Sequence, residues 1–203
     1  MFGEIIEILK ILFYLYLIYF IVSFFYILAT HEPFVLPRNK DEEDRLAELI
    51  RRGDLLVTYC YKNLYPTEAI ATRIYENWSI LKKNKKIGLT PSNTDTPGFV
   101  INKNDSMQLC LTKNPGGGEL DELNLATFVL IHEIAHLGAE EYQHGHEFLS
   151  VFKKLLRASI DIGIWNYQDY KKNPQTYCEY YVNATPQIDK FMNYSESLEF
   201  LFS

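Results

Sequence analysis

Hydrophobic and polar positions follow two different patterns along this chain. Residues 11–30, ILFYLYLIYFIVSFFYILAT, carry no charged side chain at all. A run of about 20 apolar residues is long enough to cross a bilayer as a helix. Glu4, Glu7 and Lys10 precede it, and His31-Glu32-Pro33 closes it. Tyr14, Tyr16, Tyr19 and Tyr26 within the run would suit a partner helix or the membrane interfaces. The pattern predicts a transmembrane anchor over residues 1–30 and a proline-containing linker over 31–40. Arg38, Lys40 and Arg45 beyond the run, against Lys10 and the amino terminus before it, place the remainder on the cytoplasmic side.

From residue 41 onward the apolar positions recur with helical or strand period. Asp41–Tyr65 reads as a helix with Leu46, Leu49, Ile50, Leu56 and Val57 for burial and a possible break at Gly53. Pro66–Lys83 reads as a second, using Ile70, Ile74, Trp78 and Leu81. Lys82, Lys83, Lys85 and Lys86 suit a helix C-terminus better than a nucleic-acid contact. Residues 88–98 read as loop. Phe99–Asn102 and Met107–Thr112 read as a hairpin around a turn-prone Lys103-Asn104-Asp105-Ser106. Asn114-Pro-Gly-Gly-Gly is a connector or a lid. Residues 163–173 are aromatic and irregular, with Trp165, Tyr167 and Tyr170 better suited to a core than to a pocket. Tyr177–Val182 reads as a strand, and 185–203 as a tail whose Phe191, Met192, Leu198, Phe200, Leu201 and Phe202 could dock on the domain or a partner.

The stretch Leu123–Phe148 departs from amphipathic patterning. Leu125, Phe128, Val129, Leu130, Ile131, Ile134, Ala135 and Leu137 make a helix that is apolar on nearly every side, as expected at the centre of a domain. Within it lies His132-Glu133-Ile134-Ala135-His136, the HExxH pattern. Helical residues four apart share a face, so both imidazoles can reach one ion. Such polar groups in a core are costly unless paired or metal-bound. Asp121 or Asn124 can cap the helix and Gly138 can end it. Glu133 can take a proton from a water attacking a carbonyl. Catalytic zinc, Zn2+, takes about three protein ligands and keeps one position open. His144, His146, Glu140 and Glu141 are candidates for the third. The metzincin pattern fails, because Ala139 and Tyr142 stand where it needs glycine and histidine. His144-Gly145-His146-Glu147-Phe148 instead fits an HGxxF arrangement opening a second amphipathic helix, with Phe148, Val151, Phe152, Leu155 and Ile162 buried. That register favours His144 as third ligand, with His146 the alternative. His146 or Tyr142 could stabilise an oxyanion.

HEIAH followed by HGHEF resembles the SprT-like and WLM families of small zinc metallopeptidases. With Pro91-Ser-Asn-Thr-Asp, Asn102-Lys103, Leu109-Cys110-Leu111, Asp169-Tyr170, Asn173-Pro174 and Tyr177-Cys178, residues 41–183 look like the WLM-like proteins of large DNA viruses. The resemblance implies an α+β, zincin-like metallopeptidase domain over 41–184 with a central HExxH helix. It implies zinc at His132, His136 and His144, Glu133 as general base, and a protein or peptide substrate. It also implies a viral source, with capsid or other virion proteins as partners. In small zincins the strand before the active helix is an edge that takes up extended substrate. Met107–Leu111 either does so here by strand addition or is wholly paired within the sheet. The zinc ribbon common in SprT-like proteases of genome maintenance is missing, because Cys60, Cys110 and Cys178 are too few and too far apart.

Composition narrows these readings. At 203 residues, 47% of them hydrophobic, the chain suits one domain plus an extra segment. A net charge of −6 and a pI near 5.4 argue against a general nucleic-acid binder and a DNA-repair protease. Three isolated cysteines point to a reducing compartment or to no disulfide dependence, although a Cys110–Cys178 pair is open. The expected protein is a membrane-anchored zinc metallopeptidase. The alternative is a membrane-tethered virion or minor capsid component that keeps the same fold without needing its chemistry.

Overall fold

The computed structural model describes Lys10 and residues 12–23, 35–91, 96–114, 118–186 and 188. The chain divides into two units, Met1–Pro33 and Phe34–Ser203. In the first unit residues 12–23 are helical (α1) and expose their apolar side chains. Among the described residues no helix is long and apolar enough to cross a membrane. The expected transmembrane helix over 11–30 is therefore overturned. With it go the single-pass membrane localisation and the topology inferred from Arg38, Lys40 and Arg45. Residues 24–30 of that run lie outside the described residues, as do most of the Asn114-Pro-Gly-Gly-Gly connector and of the aromatic tail.

The second unit is α+β. Helices α2 (Lys40–Lys62) and α3 (Glu68–Lys83) precede three short strands, β1 (Ile87–Leu89), β2 (Gly98–Ile101) and β3 (Ser106–Leu109). Helices α4 (Leu123–Gly138) and α5 (His146–Asp161) follow, and then the hairpin β4 (Gln175–Tyr177)–β5 (Tyr180–Val182). Asn39 caps α2 by accepting the Glu42 N–H at 2.9 Å, and Thr67 caps α3 by accepting that of Ile70 at 3.3 Å. Helix α2 runs unbroken through Gly53, where a break was open. A Cβ there would meet Trp78 Cη2 at 2.4 Å, so the glycine serves the close approach of α3 rather than a bend.

Two strand expectations change. The stretch 87–89, expected largely as loop, forms β1 and pairs in parallel with β3. The sheet order is β1-β3-β2, with β2 antiparallel to β3. Ser106–Leu109 is thus the central strand, paired on both sides, and β2 is the edge. Tyr177–Val182 is two strands rather than one, because Cys178 (φ 50°) and Glu179 (φ 69°) turn the chain between them.

Helix α4 lies at the middle of the core. Phe128 packs against Phe152 of α5, Trp165 and Tyr170, with ring centroids 5.3, 5.7 and 5.0 Å away. Trp165 and Tyr170 are buried core residues, as their composition suggested, while Tyr167 is exposed. Cys110 and Cys178 are joined in a disulfide, Cα–Cα 6.1 Å, the pairing that the sequence left open beside the reading of three isolated cysteines. The link fastens the β4–β5 turn to the segment after β3, where the Tyr177 hydroxyl also donates to the Cys110 carbonyl. Asp121 completes the junction by accepting the Cys178 N–H at 3.1 Å. Cys60 is buried, and desolvation pushes its thiol up to about 12.

The cross-link closes a loop spanning 68 positions. The chain-entropy model assigns such a loop about 4 kcal/mol of stability. Urea unfolding should show a clearly lower midpoint for the Cys110→Ser/Cys178→Ser double variant than for the wild type. Coincident curves would mean that the junction is held by its hydrogen bonds and packing alone.

Candidate metal centre

Helix α4 carries twelve buried positions, and its polar strip is correspondingly narrow. Glu122, rather than the expected Asp121 or Asn124, caps its start by accepting the N–H groups of Asn124 and Leu125, each at 3.2 Å. Asp121 is instead engaged with Cys178. At the other end the last carbonyls have side-chain donors. Asn77 Nδ2 reaches Leu137 O at 2.9 Å and Arg73 Nε reaches Gly138 O at 2.8 Å. These bonds satisfy acceptors that a helix C-terminus leaves without intrahelical partners.

His132 and His136 lie one turn apart on the strip, and His144 comes to them from the segment between α4 and α5. One ring nitrogen from each falls within 4.8 Å of the others. His144 Nε2 and His132 Nε2 are 2.9 Å apart. Two ligand nitrogens at 2.0–2.1 Å from a tetrahedral zinc stand roughly 3.3 Å apart, close to the separation of this pair. Phe148 of α5 fixes them from behind: it stacks on His136 at 4.2 Å and meets His132 and His144 edge-on at 4.9 and 4.7 Å. Burial, followed by the neighbouring histidines, holds His132 down to about 3. Burial, then His144 and Lys103, holds His136 down to about 4. Both imidazoles are neutral at pH 7, the form in which they donate lone pairs to a metal. The donor set, three imidazole nitrogens converging at a cleft, fits Zn2+.

Glu133 projects from the same turn and is only 4% exposed. Its Oε1 lies under the start of β2, 3.1 Å from where a Cβ on Gly98 would stand. Burial alone pushes its carboxyl up to about 8, and a divalent cation among the histidines would act in the opposite direction. The cleft above these groups has a volume of about 250 Å³ and is walled by Gly98, Phe99 and Val100 of β2, with Lys103, Glu141 and Tyr142 opposite.

The other candidates take different places. Glu140 pairs with Arg73 at 2.6 Å. Glu141 lines the cleft but accepts the Glu147 N–H at 3.2 Å, giving α5 the cap that Gly145 cannot supply. His146 is the first residue of α5 and lies outside both the histidine cluster and the cleft lining. His144 therefore precedes α5 instead of sitting in its first turn. Of the two groups considered for an oxyanion, only Tyr142 lines the cleft. The β2 edge, Arg73 and the side chain of Lys103 were not assigned to the site from sequence. Their contacts with it are long-range and leave no local spacing to find.

No family model matches the chain, and no solved structure matches it. It is similar to an uncharacterized protein of Acanthamoeba polyphaga mimivirus, 28% identical over 141 residues that cover 69% of this chain and 71% of that protein. It is also similar to an uncharacterized protein of Invertebrate iridescent virus 6, 32% identical over 80 residues. That alignment covers 39% of this chain and 44% of that protein. Both relatives are viral.

The geometry separates the two downstream histidines experimentally. His144→Ala should remove tight zinc binding, measured by competition with a chromogenic chelator, while His146→Ala should leave it within a few-fold of wild type. The reverse ranking would place the third donor on α5 itself.

Proposed function

We propose that this protein is a zinc-dependent metallopeptidase of the SprT-like or WLM type, hydrolysing peptide bonds in an extended polypeptide. The observation that carries this reading is the convergence of His132, His136 and His144 beside the buried Glu133, at a cleft bordered by an edge strand. Zinc bound by the three imidazoles supplies a Lewis acid for the scissile carbonyl and lowers the pKa of water.

The remaining work falls to the chain. Glu133 takes the proton of the attacking water on a carboxylate oxygen and delivers it to the leaving amine. Gly98 at the start of β2 leaves the space into which that carboxylate projects. The outward edge of β2, with no further strand beside it among the described residues, offers backbone donors and acceptors to a substrate added as another strand. This role passes to β2 from Met107–Leu111, of which Met107–Leu109 is already paired on both sides. The cleft volume lies below the roughly 300–1,000 Å³ of pockets that enclose whole small ligands, and suits one residue of a longer chain. The acidic balance of the protein supports a polypeptide rather than a nucleic-acid partner.

Glu133→Gln tests the chemistry apart from the metal. The amide keeps the shape of the carboxylate but cannot accept the proton. The variant should fold, hold zinc as the wild type does, and cleave an unfolded protein substrate more slowly by a factor of about 10²–10⁴. Equal cleavage by both proteins would refute the assigned mechanism. A wild type that binds zinc and cleaves nothing across a peptide library would favour a scaffold that has kept the fold.

A further inference from the structure

The third histidine stands on the least regular part of the site, the segment 139–145 between α4 and α5. Backbone bonds hold its two ends, Ala139 N–H to the Ala135 carbonyl and Leu149 N–H to the Gly145 carbonyl, each at 3.0 Å. Between them Glu140 N–H donates to Glu147 Oε2 at 2.7 Å, and further support comes from side chains of other elements. Two cations reach it. Arg73 of α3 bonds Glu140 at 2.6 Å and Glu147 at 2.9 Å while also capping α4 through Gly138 O. Lys103 comes from the opposite side, out of the β2–β3 turn. Its ammonium donates to the carbonyl of Ala139 and, at 3.2 Å, to that of Glu141, and it lies 5.0 Å from the centre of the Tyr142 ring.

The turn that delivers this ammonium is held in a costly conformation. Asn102 (φ 45°) and Lys103 (φ 65°) both occupy the left-handed region, which non-glycine residues seldom adopt. Neighbouring bonds hold it there. Asn102 Nδ2 donates to Asp105 Oδ2 at 2.7 Å, and Asn104 Nδ2 donates to Asn77 Oδ1 at 3.1 Å. Asn77 in turn donates to the carbonyl of Leu137 near the end of α4. An ammonium has three donors, and here two are given to backbone carbonyls of one short segment. Those contacts serve the segment rather than a ligand in the cleft.

We propose that Lys103 is a positioning residue for the metal centre: by gripping the carbonyls of Ala139 and Glu141 it holds the segment that presents His144 and ties the third nitrogen donor to the turn of the β2 edge. The inference rests on the reading of the histidine triad as a zinc site. It assigns Lys103 a supporting effect that passes through His144, while the repulsion of its charge on a cation beside His136 acts whether or not His144 is present. This dependence on His144 distinguishes it from a residue that supports the whole fold.

A double-mutant cycle on the full-length protein tests the assignment. Zinc affinity is measured for wild type, Lys103→Met, His144→Ala and the double variant, with the weaker two-histidine sites titrated calorimetrically. Methionine keeps the stem and removes the ammonium, and thermal unfolding of the metal-free proteins checks that the fold is intact. Lys103→Met should weaken zinc binding about 10–100-fold, the usual effect of losing support for a ligand, when His144 is present. It should change affinity by no more than about 2-fold when His144 is absent, since coupled residues are non-additive. Equal losses in the two backgrounds would overturn the proposal, and so would unchanged affinity of Lys103→Met with His144 in place. Either result leaves the zinc reading standing if the wild type binds tightly. A wild type that takes up no zinc would remove that reading and this inference together.

Discussion

Burying a polar strip in the middle of an apolar core is the constraint on which this structure turns. Helix α4 is surrounded: residues such as Leu125, Leu130, Ile131, Ile134 and Leu137 are 2% exposed or less. Each buried side chain of this kind contributes roughly 1.5–3 kcal/mol relative to exposure. That burial offsets the cost of placing His132, Glu133 and His136 on the same helix, where unpaired polar groups are expensive. The cost is limited by keeping both imidazoles neutral, backing them with the Phe148 ring, and opening the strip to a cleft along one side only. An ion shared by three rings would turn the remaining cost into binding energy for the folded state.

The surrounding elements follow from where this helix must end. Its last carbonyls stop in partly buried territory, and α3 supplies Asn77 and Arg73 to meet them. Beyond Gly138 the chain has to leave the core, pass the cleft and re-enter as α5, and it does so over only a few residues. Polar contacts with Arg73, Lys103 and Glu147 hold that passage where packing cannot. The Cys110–Cys178 link and Asp121 anchor the β4–β5 turn to the segment that follows β3.

Much of this was legible in the sequence because the signals are local. The apolar surround and the i, i+4 histidines marked α4 and two of the donors. The HGxxF register separated His144 from His146 even though α5 begins two residues later than that register suggested. What could not be read depends on long-range pairing. Ile87–Leu89 is too short to announce a strand, and its pairing with β3 decides that Ser106–Leu109 is central and β2 the edge. Lys103 looks like any lysine in a turn until the fold brings Ala139 beside it. The charge-free run at 11–30 misled for a different reason. Hydropathy measures how apolar a stretch is, whereas crossing a membrane also needs a helix of sufficient length, and among the described residues no helix is both long and apolar enough.

The central claim is that three histidines from two segments make one zinc site, and its most direct test is metal content. Full-length protein purified under zinc-replete conditions, with weakly bound metal washed away, should carry close to one zinc per chain by elemental analysis. His132→Ala prepared in parallel should carry close to none. Wild-type protein without zinc, or a variant that keeps as much as the wild type, would contradict the account.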